Sequence, residues 1–170
     1  MSNTISRIIC EALNIRLYTV DALDAVKEIT KIHETTPNAT VALGRSIIAT
    51  ALLSATLKPE SDQTISLKFN GSGPLKEIYI QSDARGNTRG YVANPQVDIT
   101  DPIDTISFSK SIGAGFLTVI KDLQLKEPYS SVLPLQYGEV AKDITYYLTS
   151  SEQIPSALII GLKINEDIGI

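Results

Sequence analysis

The chain has 170 residues, of which 43% are apolar and 20% charged, and its formal net charge is −4. This length and composition predict one folded domain with a substantial core. The negative charge, with no cluster of lysine and arginine, argues against nucleic-acid binding. The single cysteine, Cys10, excludes an intramolecular disulfide and fits a reducing compartment.

The amino-terminal region predicts a hairpin and lacks an export signal. The first residues, MSNTISRIIC, contain no apolar segment of signal-peptide length, which argues against export. Residues 5–20 alternate imperfectly between apolar and polar side chains, and a turn is expected near Asn14.

Three helices are predicted from apolar periodicity. Residues 21–34 should begin at an Asp21 N-cap and bury the stripe Ala22, Val26, Ile29 and Ile32. Residues 41–57, VALGRSIIATALLSATL, form the most apolar segment. Because this segment is short for a membrane span and contains an arginine, it predicts a buried helix and no membrane association. Residues 139–150 predict the third helix.

Strands are predicted at residues 64–70, 75–84, 87–93, 116–120 and 157–164, and a long surface loop at residues 94–111. The strands cluster between helices without regular alternation. We therefore predict an α+β fold, a single compact domain in which a largely antiparallel sheet packs with helices.

The stretch KFNGSGPLKEIYI contains Gly71 and Gly73, spaced as in a nucleotide-binding loop. Such a loop needs converging N–H groups and a following helix, but lysine replaces the third glycine and a strand-like run follows. The pattern therefore predicts a hairpin. A loop of residues 71–74 would place Leu67 opposite Ile78.

Side chains suited to catalysis or metal binding are scarce. His33, the only histidine, is expected in the last turn of a helix, where it complements the helix dipole. Cys10 is expected to be a small buried side chain, and a Cys10–His33 couple lacks a local signature. One cysteine and one histidine cannot complete a zinc site, so no metal or cofactor is expected. Asp98, Asp101 and Asp104 crowd one loop, where solvated carboxylates are the commoner interpretation.

Three ordered segments carry a resemblance to a known family. They are LGRSIIATALLSATLK, FNGSGPLKEIYIQSDARGNTRGYV and GFLTVIKDLQLKEPYSSVLPLQYGEVAKDITYYLTSSEQIPSA. In this order and spacing the chain resembles the core domain of the redox-regulated heat-shock holdases, the 33 kDa chaperonin family of bacteria. The resemblance runs from about residue 7 to the end of the chain.

The resemblance implies an ATP-independent chaperone that holds unfolding client proteins on apolar surface, resides in the cytoplasm and dimerises when active. Members of the family carry a carboxyl-terminal zinc module with Cys-x-Cys and Cys-x-x-Cys pairs. The present chain ends at Ile170 without those cysteines or the linker before them, and Cys10 matches none of them. Its ending, INEDIGI, favours a fragment of a longer protein.

The stretch QSDARGNTRGYV predicts where clients bind. A loop of residues 84–86 pairs Tyr79 with Tyr91, whereas a two-residue turn at residues 86–87 shifts the register. The first register segregates apolar side chains to one face and puts both tyrosines on the other, so we prefer it. The hypothesis is that clients meet the Tyr79–Tyr91 face after a regulatory segment uncovers it. The alternative is an ordinary solvated face with a cross-strand tyrosine pair.

Two other functions remain open at this point. One is a small α+β enzyme with a carboxylate site at residues 98–104, although no catalytic residue can be assigned. The other is a subunit whose apolar surface binds one fixed partner. In addition, the helix at residues 41–57 is apolar nearly all round, which indicates either complete burial or a shared interface, and we expect a homodimer.

Overall fold

The computed structural model describes residues 3–97 and 106–164. The strands are β1 (Thr4–Cys10), β2 (Ile15–Asp21), β3 (Thr64–Gly71), β4 (Glu77–Asp83), β5 (Thr88–Val92), β6 (Gly115–Asp122) and β7 (Tyr129–Pro134). The helices are α1 (Leu23–His33), α2 (Pro37–Ser54), α3 (Phe108–Ile112) and α4 (Val140–Ser150).

Two antiparallel sheets organise these elements. The larger sheet has the strand order β5-β4-β3-β6-β7, and the smaller is the β1–β2 hairpin. α2 packs against one face of the larger sheet and also contacts α1, α3, α4 and β2. The predicted α+β fold with an antiparallel sheet is therefore confirmed.

α2 is the central element because it is apolar nearly all round. It begins with Pro37 in its first turn, a position where proline costs no hydrogen bond. Its buried hydroxyl groups donate to carbonyls within the helix, as Ser46 does to Ala42 and Thr50 does to Ser46. Because these hydroxyl groups find acceptors within the helix, an 18-residue helix can lie in the core. Most of the helix is thus buried within its own chain, although Arg45, Ile48 and Leu52 are only half-buried.

The hairpin between β4 and β5 has the predicted register. Tyr79 lies opposite Tyr91, and Ile78 lies opposite Val92. Gly86 adopts a φ of 88° and closes the turn by donating its N–H to the Asp83 carbonyl. Glycine takes this left-handed conformation without strain, which is why the turn fixes the register.

The hairpin between β3 and β4 differs from the prediction. Leu67 lies opposite Ile80 rather than Ile78, and the loop comprises residues 71–76. The cause is the buried side chain of Leu75, whose N–H donates to the Ser111 carbonyl, so the loop packs on the end of α3. A shift of two residues preserves which side chains share a face.

Several other expectations need correction. Cys10 is exposed at the end of β1, and Ile32 on α1 is 60% exposed, so neither belongs to the core. Residues 157–164 are extended but form no strand. The sequence also gave no indication of β7 or of the short helix α3. The first helix begins two residues after Asp21, whose carboxylate accepts the N–H of Leu23.

Within the described residues, no helix combines the length and apolar character needed to cross a membrane.

Candidate functional site

The larger sheet has a second face, opposite the one on which α2 packs. One row across this face consists of Tyr91, Tyr79, Lys68, Thr118 and Val132. We call this surface the outer face. Its apolar and aromatic side chains are Tyr79, Tyr91, Phe116, Ile120 and Val132.

The outer face leaves large apolar groups in contact with solvent. Tyr91 is 42% exposed, Phe116 55% and Val132 64%. Helices α1, α2 and α3 pack on the other side of the sheet, where the buried side chains of β3 and β4 point. Contiguous exposed apolar groups are typical of a binding surface, and Phe116 and Val132 lie on the neighbouring strands β6 and β7.

The two tyrosine rings form the aromatic part of the outer face. Their centroids are 5.9 Å apart and their planes are inclined by 30°. The hydroxyl of Tyr79 donates to Ser66 Oγ at 3.1 Å, which fixes the ring of the half-buried tyrosine. Since both hydroxyl groups have partners within the sheet, the rings offer mainly their apolar surfaces to a ligand.

Glu77 organises the polar part of the outer face. Its carboxylate accepts hydrogen bonds from the Tyr91 hydroxyl at 2.6 Å and from Asn70 at 2.7 Å, and it lies 3.0 Å from Lys68 Nζ. The hydrogen bond from Tyr91, with smaller contributions from Lys68 and Asn70, outweighs burial and lowers the pKa of Glu77. The same hydrogen bond raises the pKa of Tyr91. The charges of Lys68 and Glu77 are therefore paired with each other, beside the apolar groups.

The glycine-rich loop at residues 71–76 is not an anion cradle. The N–H groups of Gly71, Ser72 and Gly73 donate to the carbonyls of Lys76, Ala114 and Ile112. A Cβ at Gly71 would lie 1.9 Å from the Ile112 carbonyl oxygen. The glycines therefore allow the backbone of this loop to approach that of residues 111–114. Their backbone N–H groups already donate to carbonyls of the protein and are not available to an anion.

The other candidate residues are dispersed. His33 ends α1 and donates from Nε2 to the Gly90 carbonyl at 3.0 Å, which ties the helix to β5. Cys10 lies in the distal part of the β1–β2 hairpin, opposite Ile15. In residues 3–97 and 106–164, no group of three or more histidine, cysteine or carboxylate side chains is placed to hold a metal ion. The acidic loop with Asp98, Asp101 and Asp104 lies outside the described residues.

Sequence reasoning found the tyrosine pair but missed its apolar neighbours. Phe116 and Val132 join the outer face through the pairing of β3 with β6 and of β6 with β7. The alternation of Phe116, Thr118 and Ile120 with buried residues was a usable signal. This alternation identifies a strand, but no short turn connects β6 to β3, so the sequence does not show that the two strands are neighbours.

Comparisons with known proteins agree with this fold. A family model described as Hsp33 protein matches residues 3–170. The 33 kDa chaperonin of Aquifex aeolicus is 45% identical over 157 residues, which cover 90% of this chain and 48% of that protein. The 33 kDa chaperonin of a Geobacter species is 43% identical over 168 residues, which cover 98% of this chain and 56% of that protein.

A solved structure has the same fold. The crystal structure of the 33 kDa chaperonin of Thermotoga maritima, a heat shock protein 33 homologue, superposes with a TM-score of 0.88 at 36% identity. The match covers 96% of this chain and 56% of that one. These relatives are named 33 kDa chaperonins or heat shock protein 33 homologues. The chain belongs to the Hsp33 family, and it spans about half the length of the curated relatives it matches.

Proposed function

We propose that this chain is the client-binding core of an ATP-independent holdase. It binds unfolding proteins through apolar surface and prevents their aggregation, without turning over a small molecule. The observation that carries the proposal is the outer face, which exposes Tyr91 at one edge of the sheet and Phe116 and Val132 on the two strands at the other edge.

The chemistry of the outer face suits an unfolded client. Unfolding exposes apolar side chains of no fixed sequence, and a holdase needs rigid apolar area that binds them without a shaped pocket. Aromatic rings provide such area at low conformational cost, and the strands hold Tyr79 and Tyr91 in place. The paired charges of Lys68 and Glu77 keep the face hydrated when no client is bound.

We further propose that the protein acts in the cytoplasm as a two-fold homodimer, without nucleic acid or membrane as partners. Apolar side chains in the distal part of the β1–β2 hairpin favour self-association, since Ile9 is 68% exposed and Leu13 69% exposed. Sedimentation at micromolar concentrations distinguishes the dimer from a monomer.

The zinc-dependent redox switch that the resemblance implies for the family requires cysteines outside these residues. We propose that the present chain holds clients without a cofactor and without oxidation.

Light scattering of a heat-denaturing client tests the function. A holdase suppresses the scattering of several unrelated clients at a near-stoichiometric ratio and without ATP. Protection of one client only would indicate a dedicated partner-binding subunit, and no protection of any client would contradict the proposal.

A further inference from the structure

The apolar groups of the outer face form two patches on opposite sides of a central strand. Near one edge of the sheet, Tyr79 and Tyr91 lie on β4 and β5. Near the other edge, Phe116, Ile120 and Val132 lie on β6 and β7. β3 separates the two patches, because the strand order is β5-β4-β3-β6-β7.

The central strand contributes polar side chains to the outer face, namely Thr64, Ser66, Lys68 and Asn70. An ammonium group has three N–H donors, and in residues 3–97 and 106–164 Glu77 is the one acceptor in contact with Lys68 Nζ. The Glu77 carboxylate also accepts from Tyr91 and Asn70, so it keeps two donors if Lys68 turns toward another anion. The central strand therefore offers spare donors rather than spare acceptors.

The distance between the patches matches a spacing in an extended chain. Tyr79 and Val132 lie in one row, with Lys68 and Thr118 between them. At the usual distance between neighbouring strands, the backbones at the two ends of this row are about 14 Å apart. Residues i and i+4 of an extended chain lie about 13 Å apart and point to the same side. Residue i+2 points the same way and falls between Lys68 and Thr118.

We propose that the outer face prefers extended client segments that carry apolar side chains at positions i and i+4 and a carboxylate at position i+2. The inference rests on the proposed holdase function and names the class of segment that the same site takes. The segment crosses the strands. One apolar side chain packs on Tyr79 and Tyr91, the other packs on Phe116 and Val132, and the carboxylate lies beside the Lys68 ammonium.

The polar central strand disfavours the other occupants. An apolar side chain at i+2 would cover the Lys68–Glu77 ion pair, and removing charges from water is costly. A lysine at i+2 would meet the like charge of Lys68. An amphipathic helix carries apolar groups at every turn, about 5.4 Å apart, so a helix lying across the strands would also press apolar groups on the ion pair.

Synthetic peptides test the preference on the unaltered protein. The probe is a fluorescent nine-residue peptide of serine and threonine with leucine at i and i+4 and aspartate at i+2. Its isomer with leucine at i and i+2 and aspartate at i+4 reaches one patch only, and should bind about tenfold more weakly. The peptide with lysine at i+2 should bind about fivefold more weakly. Equal binding of the three peptides would overturn the proposal, as would tighter binding of an alanine-rich helical peptide with a leucine stripe.

A variant at Lys68 tests the location. Lys68→Met keeps the apolar stem of the side chain and removes its charge, so it should bind the aspartate and the lysine peptides equally. The control is Lys31→Met, the same change at an exposed residue of α1, on the other side of the sheet. The control should discriminate between the two peptides as the wild type does. Wild-type discrimination by Lys68→Met would overturn the assignment of the carboxylate to Lys68.

The same preparations separate this proposal from the function. Suppressed client aggregation together with equal binding of the peptides refutes the preference and leaves the holdase. Discrimination among the peptides that depends on Lys68, without any suppression of aggregation, supports the preference and refutes the holdase.

Discussion

The hydroxyl of Tyr91 donates to Glu77 Oε1 at 2.6 Å, so an exposed aromatic ring on β5 is tied to a carboxylate on β4. This bond connects the apolar and the charged parts of the outer face. It holds the Tyr91 ring beside Tyr79, and it keeps the Glu77 carboxylate ionised by lowering its pKa.

Tyr91→Phe should therefore raise the pKa of Glu77 toward its ordinary value. The folded-state pKa of Glu77 lies below its unfolded value, so the interaction stabilises the fold above the unfolded pKa and is lost as the pH falls through the folded pKa. The variant should be less stable than the wild type near neutral pH, and the difference should shrink in acid. Carboxyl NMR titration measures the pKa of Glu77, and unfolding near neutral pH and in acid measures the difference in stability.

The matched control is Tyr79→Phe, because the Tyr79 hydroxyl donates to Ser66 instead of a carboxylate. It should leave the titration of Glu77 unchanged. Equal Glu77 titration curves for wild type and Tyr91→Phe would contradict the account.

Gly115→Ala should destabilise the protein strongly. A Cβ at Gly115 would lie 1.9 Å from the carbonyl oxygen of Asn70, a backbone atom of the neighbouring strand that cannot move alone. We expect a loss of about 3 kcal/mol or more in the free energy of unfolding, measured by denaturant titration. Gly161→Ala, which meets nothing within 4 Å, is the control and should unfold like the wild type. A Gly115→Ala protein of wild-type stability would show that β3 and β6 are not so closely paired.

Glu152→Ala should loosen the connection between α4 and β6. Burial alone would raise the pKa of Glu152, but hydrogen bonds from Lys121 and Tyr147 outweigh it and lower the pKa. Lys121 Nζ lies 2.6 Å from the carboxylate, and the buried Tyr147 hydroxyl also donates to it. Truncation leaves both donors without this partner, at a cost of about 2 kcal/mol in the free energy of unfolding.

Glu127→Ala, in the exposed turn between β6 and β7, is the control for Glu152→Ala. Indistinguishable thermal midpoints of the two variants would contradict a structural role for Glu152.

Client holding by this chain should be the same in reductant and in peroxide, and zinc should not bind stoichiometrically. The chain contains one cysteine and one histidine, too few for a tetrahedral site of nitrogen and sulfur ligands. Aggregation assays under both conditions, with metal analysis of the purified protein, measure this. A gain of holding in peroxide, without disulfide-linked dimers through Cys10, would contradict the prediction.

Elements fixed by local chemistry could be predicted from the sequence, and those fixed by distant contacts could not. The register of β4 with β5 follows from the turn at Gly86 and from the alternation of apolar residues. The predicted register of β3 with β4 is wrong by two residues, because backbone hydrogen bonds to residues 111–114 determine the conformation of the loop between the two strands.

The same distinction explains what was missed at the candidate site. β7 is an edge strand that ends at Pro134, and its residues YSSVLP do not alternate between polar and apolar side chains, the pattern that marks a half-buried strand. Burial does alternate along residues 157–164, and their apolar character predicted a strand. A β-strand also requires a hydrogen-bonded neighbouring strand, which a sequence pattern does not identify.

The outer face is tested most directly by replacing its tyrosine pair. In Tyr79→Ser/Tyr91→Ser, the suppression of client aggregation should fall several-fold, while the thermal midpoint changes little because a cross-strand pair contributes under about 1 kcal/mol. The control is Tyr137→Ser/Tyr146→Ser, which removes another aromatic pair, with centroids 6.5 Å apart, away from the sheet. The account predicts wild-type holding for the control and weakened holding for the outer-face variant, and equal holding by the two variants would contradict it.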